Sequence, residues 1–378
     1  MSSDRFYLDY NATSPLANSV KSYLTRGDFL FANPSSPHSS GKSARKQINQ
    51  TKEFLQDFFS IKHPVLFHSG ATESINLCIK GFAAKNKKIH FFYFLSDHAA
   101  VTGNVAWLKS RGHETTALKI DQNGNFDLDE VIQTIKKSTL PTLLNFTWVH
   151  NETGVEWKLE TAAEIKRQTQ CYVHVDAVQS VAKIKNYQKL LADLDFYTYS
   201  GHKFGSLKGV GFSFVKELEA FNPIFHGGGQ QQGQRSGTEN PMGVYTLQLA
   251  LTERQSTYQY DENLKAKKQF EAQLKAVFGE AIEIVGEKGT RNSNTSNIIF
   301  KKHKADVLLT ALDLAGIEVS SGSACSSGNL KRSETLLAMG YEQEADRGLR
   351  FSFAPDFHSS QVSDLINRVN ISLKNFKN

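Results

Sequence analysis

Four short stretches of this chain place reactive side chains where they can do chemistry. Lys203 closes the run Tyr199-Ser200-Gly201-His202-Lys203, directly after a strand pattern through Asp195-Phe196-Tyr197-Thr198. A lysine delivered by a strand end into a cleft suits Schiff-base chemistry, because an amine held among cations or apolar walls loses its proton readily. Taken alone, the tetrapeptide fits a solvated surface lysine more often than a functional one. In Val173-His174-Val175-Asp176-Ala177-Val178-Gln179 an acid ends a buried strand and an amide follows three residues later. Such an aspartate can pair with a pyridinium nitrogen and make the ring an electron sink, or it can simply cap a helix. Ser69-Gly70-Ala71-Thr72-Glu73-Ser74 leaves backbone N–H groups and a hydroxyl at a helix start, a site for an anion such as phosphate or an ordinary capped helix. The fourth stretch, Ser320-Ser321-Gly322-Ser323-Ala324-Cys325-Ser326-Ser327-Gly328, surrounds one cysteine with small residues. A thiol on such a loop can travel to a substrate and away, given a nearby base or cation to favour the thiolate over a pKa of about 8.5. A buried cysteine in a Ser/Gly turn is the plainer alternative.

The elements that must position these residues follow from periodicity. Short apolar β-rich runs alternate with helical patterns from about residue 60 to 215, which predicts βα units and a largely parallel sheet. Strands are expected at Val65–His68, Ile89–Leu95, Thr142–Trp148, Tyr172–Val175, Phe196–Tyr199 and Val210–Val215, with helices after Ala71, His98, Asp127 and Thr161. A long polar helix is expected over Glu262–Phe278. Beyond it Ile282–Val285, Asn297–Phe300 and Leu349–Phe353 read as extended, and Ala305–Ala315 and Gln361–Phe376 as helical, which together suggest a smaller α+β unit. The Gly- and Gln-rich stretch His226–Gly237 reads as a flexible loop.

Composition narrows the class of protein. Apolar residues make up 39% and charged residues 22% of 378 positions, ordinary globular usage with no run long enough to cross a bilayer. Met1 to Tyr10 shows neither a basic start nor an apolar stretch, so the expected compartment is the cytoplasm. Cys78, Cys171 and Cys325 are odd in number and far apart, fitting neither a disulfide framework nor metal-ligand spacing, and no metal is expected. The net charge of +6 comes from scattered clusters such as Lys85 to Lys88 and Lys301 to Lys304, so no nucleic-acid surface is expected.

Taken in this order, the four stretches resemble the cysteine desulfurases, class V relatives of the aminotransferases on the fold-type I scaffold that binds pyridoxal 5′-phosphate (PLP). The resemblance extends to Tyr7-Leu8-Asp9-Tyr10-Asn11-Ala12-Thr13, Asn33-Pro34-Ser35-Ser36-Pro37-His38, Asp97-His98, Asn151-Glu152-Thr153-Gly154-Val155, and Gly227-Gly228-Gly229 through Arg235-Ser236-Gly237-Thr238, and so covers nearly the whole chain. It implies a large α/β PLP-binding domain over 15–255, with a mostly parallel seven-stranded type of sheet. A small α+β domain would comprise 1–14 and 256–378 and carry the cysteine loop.

The resemblance also implies roles. Lys203 would hold the cofactor covalently and later move the substrate α-proton, Asp176 would pair with the pyridine nitrogen, Gln179 would hydrogen-bond the ring oxygen, and His98 would stack on the ring. Ala71, Thr72, Ser200 and His202 would hold the phosphate, with Thr238 reaching it from the neighbouring subunit of a homodimer. Arg350 would grip the substrate carboxylate, assisted by Asn33 and Asn151, since a guanidinium fork matches that planar anion. Cys325 would take sulfur from L-cysteine as a persulfide, leave alanine, and pass the sulfur to an acceptor protein for iron–sulfur assembly or tRNA thiolation. The chain ends at Asn378 without the extended tail by which some relatives dock a scaffold, so the acceptor stays open. Asp97 stands where relatives often have Glu, and residues 230 to 234 are Gln-rich where they often carry charge.

Three other readings compete. Selenocysteine lyase, cysteine sulfinate cleavage or transamination could run on the same scaffold, and Cys325 discriminates, since a transaminase needs no mobile thiol. A non-catalytic sulfur-transfer adaptor would be expected to lose part of the set Lys203, Asp176, His98, Gln179, Arg350 and Cys325, yet all are present. A dinucleotide-binding dehydrogenase is discarded, because no G-x-G-x-x-G follows the first strand.

Overall fold

A computed structural model describes residues 5–322 and 332–376. The N-terminal segment carries β1 (Phe6–Tyr7), α1 (Asn18–Arg26) and α2 (Ser39–Phe58). Alternation then begins: β2 (Val65–His68), α3 (Ala71–Lys85), β3 (His90–Phe94), α4 (Ala99–Ser110), β4 (Glu114–Leu118), α5 (Leu128–Lys136), β5 (Thr142–Thr147), α6 (Leu159–Thr169) and β6 (Tyr172–Asp176). The strands β7 (Phe196–Ser200) and β8 (Gly211–Val215) complete a seven-stranded sheet ordered β2-β8-β7-β6-β5-β3-β4. Pairing is parallel from β7 through β6, β5 and β3 to β4, while β8 runs antiparallel to both β7 and β2.

Every residue of β2, β5, β7 and β8 is buried, which is why these strands are rich in apolar residues on both faces rather than strictly alternating. Alternate side chains still serve different faces. Phe67, Leu144, Phe146, Val173, Val175, Tyr197, Tyr199 and Phe212 enter one core cluster, which also takes in Val20 of α1, Leu55 of α2 and Ile165 of α6. Leu66, Phe91, Leu143, Phe196 and Val215 enter a second with Ile75 and Ile79 of α3 and Val101 and Leu108 of α4.

After α7 (Pro241–Thr257) and α8 (Tyr260–Phe278) the chain builds β9 (Ile282–Ile284), β10 (Thr295–Phe300), α9 (Ala305–Leu314), β11 (Ile317–Glu318), β12 (Ser320–Ser321), α10 (Glu334–Ala338), β13 (Gly348–Ser352) and α11 (Val362–Ser372). The order β12-β13-β10-β9 forms an antiparallel sheet of four strands, whose core joins Phe270 and Leu274 of α8, Leu308 and Leu312 of α9 and Leu365 and Val369 of α11. The N-terminus is stitched to this second sheet where Ser352 of β13 donates its N–H to Leu8 O at 2.7 Å, and β1 forms a separate parallel pair with β11. Among the described residues, no helix is long and apolar enough to cross a membrane.

The expected strands and the long helix over residues 262–278 are present. The helix expected after Thr161 starts two residues earlier, at Leu159. The reading of His226–Gly237 as simply flexible is corrected. Gln231 is buried and its amide pairs with both backbone groups of Phe67 on the edge strand β2, accepting from N at 2.6 Å and donating to O at 2.7 Å. Arg235 meanwhile donates to Glu73 Oε1 at 2.7 Å. A polar stretch is thus tied down by covering a sheet edge.

Candidate active site

The C-terminal ends of β5, β6 and β7 open into a cleft of about 280 Å³, the position where parallel sheets hold ligands. Its lining includes Lys203, Asp176, His98, Gln179, Arg350 and Asn151, together with Ala71, Thr72, Ser200 and His202. Ten residues singled out in the sequence therefore meet in one place. Asn33 and Thr238 do not line it: both are exposed, and Asn33 Oδ1 accepts from Ser35 N at 2.9 Å in its own turn. Cys325 lies outside the described residues.

Lys203 is presented by the tight turn Gly201–Lys203 after β7. Only glycine fits at 201, where a Cβ would come within 2.8 Å of Leu247 Cδ2 and 2.9 Å of Val210 O. Lys203 Nζ donates to Asn11 O at 2.8 Å and Ala12 O at 2.9 Å. Gln179 Nε2 also donates to Asn11 O, at 3.0 Å, while its Oε1 accepts from the buried Lys183. Since Asn11 O can only accept and Lys183 lies on the other side, the amide is held with nitrogen toward Asn11.

Asp176 ends β6 and accepts from Val178 N at 3.1 Å. Burial raises its pKa, opposed by that N–H and by His98 and Lys203. His98 caps α4, with Nδ1 accepting from Ala100 N at 3.0 Å, and burial lowers its pKa. The neutral ring therefore carries its proton on Nε2. His202 is pushed down to about 4, by burial first and then by the charges of Lys203, Lys183 and Lys208. At the N-terminus of α3 no side chain caps the helix, although Ala71 and Thr72 begin it and Ser200 and His202 stand across from it. Free N–H groups and a helix dipole favour an anion there.

Arg350 lies in the middle of β13, paired with Ser320 of β12 and Asn297 of β10, and is 2% exposed. Its Nη2 donates to Asp9 Oδ1 at 2.6 Å and Nη1 to Asn151 O at 3.3 Å, while Nε has no partner among the described residues. A buried guanidinium with spare donors at a cleft is suited to a carboxylate ligand.

The structure adds residues that spacing did not reveal. Asn11, buried at 1% exposure, donates through Nδ2 to Asn151 O at 3.0 Å and Thr295 Oγ1 at 2.9 Å, and so joins the cleft wall to the second sheet. Thr147 lines the cleft from β5, and its hydroxyl donates to Asp97 Oδ1 at 2.8 Å.

One step below Thr147, Asp176 and Ser200, a polar row crosses the sheet on the same face. Asp97 accepts from Asn145 Nδ2 at 2.8 Å, Asn145 Oδ1 meets His174 Nδ1 at 2.6 Å, and His174 Nε2 meets Thr198 Oγ1 at 2.8 Å. Ser74 follows at 2.7 Å from Thr198, then Ser213, then His68 Nε2 at 2.9 Å. Asp97 Oδ2 accepts from both Phe94 N and Asn145 Nδ2, and burial raises the Asp97 pKa to about 7; with its NH2 on Asp97, Asn145 turns its oxygen to His174, so His174 must donate from Nδ1, and each hydroxyl in turn donates toward Asp97. His68 then donates from Nε2, which agrees with its buried Nδ1 having no partner among the described residues.

One measurement follows from this row. Nitrogen-15 NMR will show His174 as the neutral Nδ1–H form down to pH 5, because burial lowers its pKa to about 3 and that of His68 to about 4, against the usual 6.5. For each histidine the unfolded chain binds the extra proton between its ordinary and its lowered pKa. The contribution of each histidine to stability is therefore complete above about pH 6.5 and is lost as pH falls toward its lowered pKa, by up to ~1.4 kcal/mol per unit, while Asp97 and Glu156, raised by burial to about 7, act in the opposite sense over the same range. An imidazolium signal from His174 at pH 5 would contradict this.

Comparison with known proteins gives the same picture. Residues 6–365 match the family described as aminotransferase class-V. The chain is 32% identical over 377 residues to "Putative cysteine desulfurase IscS 1" of Bacillus subtilis (strain 168), covering 95% of this chain and 96% of that protein. It is 33% identical to "Cysteine desulfurase IscS" of Dictyoglomus turgidum, covering 92% and 89%. Among solved structures, a "NifS-like protein" superposes with a TM-score of 0.87 at 25% identity, covering 98% of this chain and 99% of that one. "SspA in complex with cysteine" superposes with a TM-score of 0.79 at 27% identity, covering 92% and 99%.

Proposed function

The chain belongs to the class-V aminotransferase family, and on that premise we propose that it is a PLP-dependent cysteine desulfurase, converting L-cysteine to L-alanine and leaving the sulfur as a persulfide on Cys325. The observation that carries the reading is the meeting of Lys203, Asp176 and Arg350 on one cleft: an amine, a buried acid and a buried carboxylate receptor. The residues fit PLP. The uncapped N-terminus of α3 with Thr72, Ser200 and His202 is suited to its phosphate, Asp176 to its ring nitrogen, Gln179 to its ring oxygen, His98 to its face and Lys203 to its carbonyl carbon. Bound there, PLP supplies an electron sink that acidifies the α-proton of an amino acid.

The protein's own groups do the rest. Arg350, with Asn151 beside it, holds the substrate carboxylate and so orients the α-carbon toward Lys203, whose amine takes and returns the proton. The Cys325 thiolate attacks the substrate sulfur. The S–S bond forms as the substrate C–S bond breaks, its electron pair goes to carbon, and a proton completes alanine. The carbonyls of Asn11 and Ala12 accept from the Lys203 amine and so aim it into the cleft.

Thr238, exposed and outside its own chain's cleft, supports a homodimer in which it reaches the partner's phosphate site, with Asn33 assisting the substrate. A large α/β domain over 15–255 and a small one from 1–14 and 256–378 belong to the same reading, as do a cytoplasmic location and transfer of the persulfide to an acceptor protein.

Addition of L-cysteine to the PLP-loaded protein, with alanine and sulfide assayed in parallel under reductant, tests the reading: equal amounts are expected, and neither product would move the assignment to another amino acid. Arg350→Lys will raise KM for L-cysteine at least about tenfold, ~1.4 kcal/mol, because an ammonium cannot reproduce the fork. An unchanged KM would remove Arg350 from substrate binding.

A further inference from the structure

Glu152 has no part in the chemistry above, yet its carboxylate sits at a singular point. Its Oε2 accepts from Ser333 Oγ at 2.7 Å. The same oxygen lies only 1.9 Å from where a Cβ on Gly322 would be, so the bare backbone of Gly322 is packed directly against it. Gly322 and Ser333 are described residues on either side of segment 323–331, which contains Cys325. Gly322 follows β12 immediately, and Ser333 caps α10, accepting from Leu336 N at 3.1 Å. One buried carboxylate oxygen thus touches both flanks of that segment.

The other end of Glu152 is built into the cleft wall. Its N–H donates to His150 Nδ1 at 3.2 Å, so the neutral His150 ring donates from Nε2 to Ser96 O at 2.7 Å, one residue before Asp97 and two before His98. Its carbonyl accepts from Asn297 Nδ2 of β10 at 3.3 Å. The preceding residue, Asn151, lines the cleft and takes Arg350 through its carbonyl. Glu152 is 8% exposed and therefore has little freedom to move away.

We propose that Glu152 is a positioning residue for Cys325: its carboxylate ties the two flanks of segment 323–331, at Gly322 and Ser333, to the wall that carries Asn151 and His98. The inference rests on the desulfurase reading, in which Cys325 must meet the sulfur of a substrate held in this cleft. Small displacements of a reacting group cost large factors in rate, about a hundredfold for 1 Å. Loss of the tie should therefore slow sulfur transfer without weakening cofactor or substrate binding.

The test uses the PLP-loaded full chain. Glu152→Ala will slow single-turnover formation of persulfide on Cys325, read by mass spectrometry, at least about tenfold. The visible absorbance of bound PLP and the L-cysteine concentration that half-saturates its change will stay within about twofold of the parent. Glu152→Gln, which keeps an acceptor oxygen for Ser333, will recover most of the rate. Gly322→Ala will be slowed like Glu152→Ala, and the two changes together will cost less than the sum of each alone, because they disturb one contact. A parental rate in Glu152→Ala overturns the inference, and so does a rate loss matched by an equal loss of PLP and L-cysteine binding, which would mark a general structural role. A parent protein that makes no alanine from L-cysteine overturns the desulfurase reading and the inference with it, whereas parental alanine formation with an unimpaired Glu152→Ala overturns the inference alone.

Discussion

Lys203→Ala will lose about 10²–10⁴-fold or more in alanine formation, the range that a positioned proton-transfer group contributes, and it will no longer retain PLP through borohydride treatment followed by denaturation. Both effects have one cause. The amine enters the cleft from a turn that admits only glycine at 201, and it is aimed by two backbone carbonyls, Asn11 and Ala12. Lys183, also buried, cannot substitute, because its amine is directed into Gln179. Retention of covalently held PLP by the variant would show that another lysine is the anchor.

Cys325→Ala has the second large effect, and it separates two halves of the reaction. Sulfide release and persulfide formation will fall by about two orders of magnitude or more, as removal of a nucleophile does in other enzymes, while the absorbance change on adding L-cysteine persists, because Arg350, Lys203 and Asp176 are untouched. The remaining cysteines offer no replacement. Cys78 and Cys171 are buried in the core, and burial raises both thiols, Cys171 to about 11. Without thiolate there is no attack. Unchanged desulfuration by the variant would assign the sulfur chemistry to some other group.

Much of this was legible in the sequence because it is local. Val65–His68, Phe196–Ser200 and Thr142–Thr147 are fully buried strands rich in apolar residues, and the segments that follow them deliver Thr72, Lys203 and Asn151. The edge strand Glu114–Leu118 was not legible, because a half-exposed ETTAL pattern lacks the apolar signal of a central strand. The helix Pro241–Thr257 carries apolar residues around its circumference and offers no single face to recognise. Asn11 was visible as part of a motif, but its role as a joint between Asn151, Thr295 and Lys203 depends on residues from three distant parts of the chain meeting.

The polar row beneath the cleft shows the same limit. Asn145, His174, Thr198 and Ser213 each appear as one polar residue inside an apolar strand. That they form a line follows only from register, where Asn145 faces His174 and Thr198 faces Ser213. Asp97 belongs to this row as its terminal acceptor, so the shorter acid found where relatives often carry Glu is already fully engaged with Phe94, Asn145 and Thr147. For Asn33 and Thr238 the reading came from resemblance alone, and within one chain both stand outside the cleft lining.

The most direct test of the central claim is a single turnover without reductant: PLP-loaded protein is mixed with less than one equivalent of L-cysteine, quenched, and analysed for alanine and for the mass of the peptide containing Cys325. One alanine is expected for each peptide that gains one sulfur atom. Alanine formed while the Cys325 peptide stays unmodified would contradict that claim.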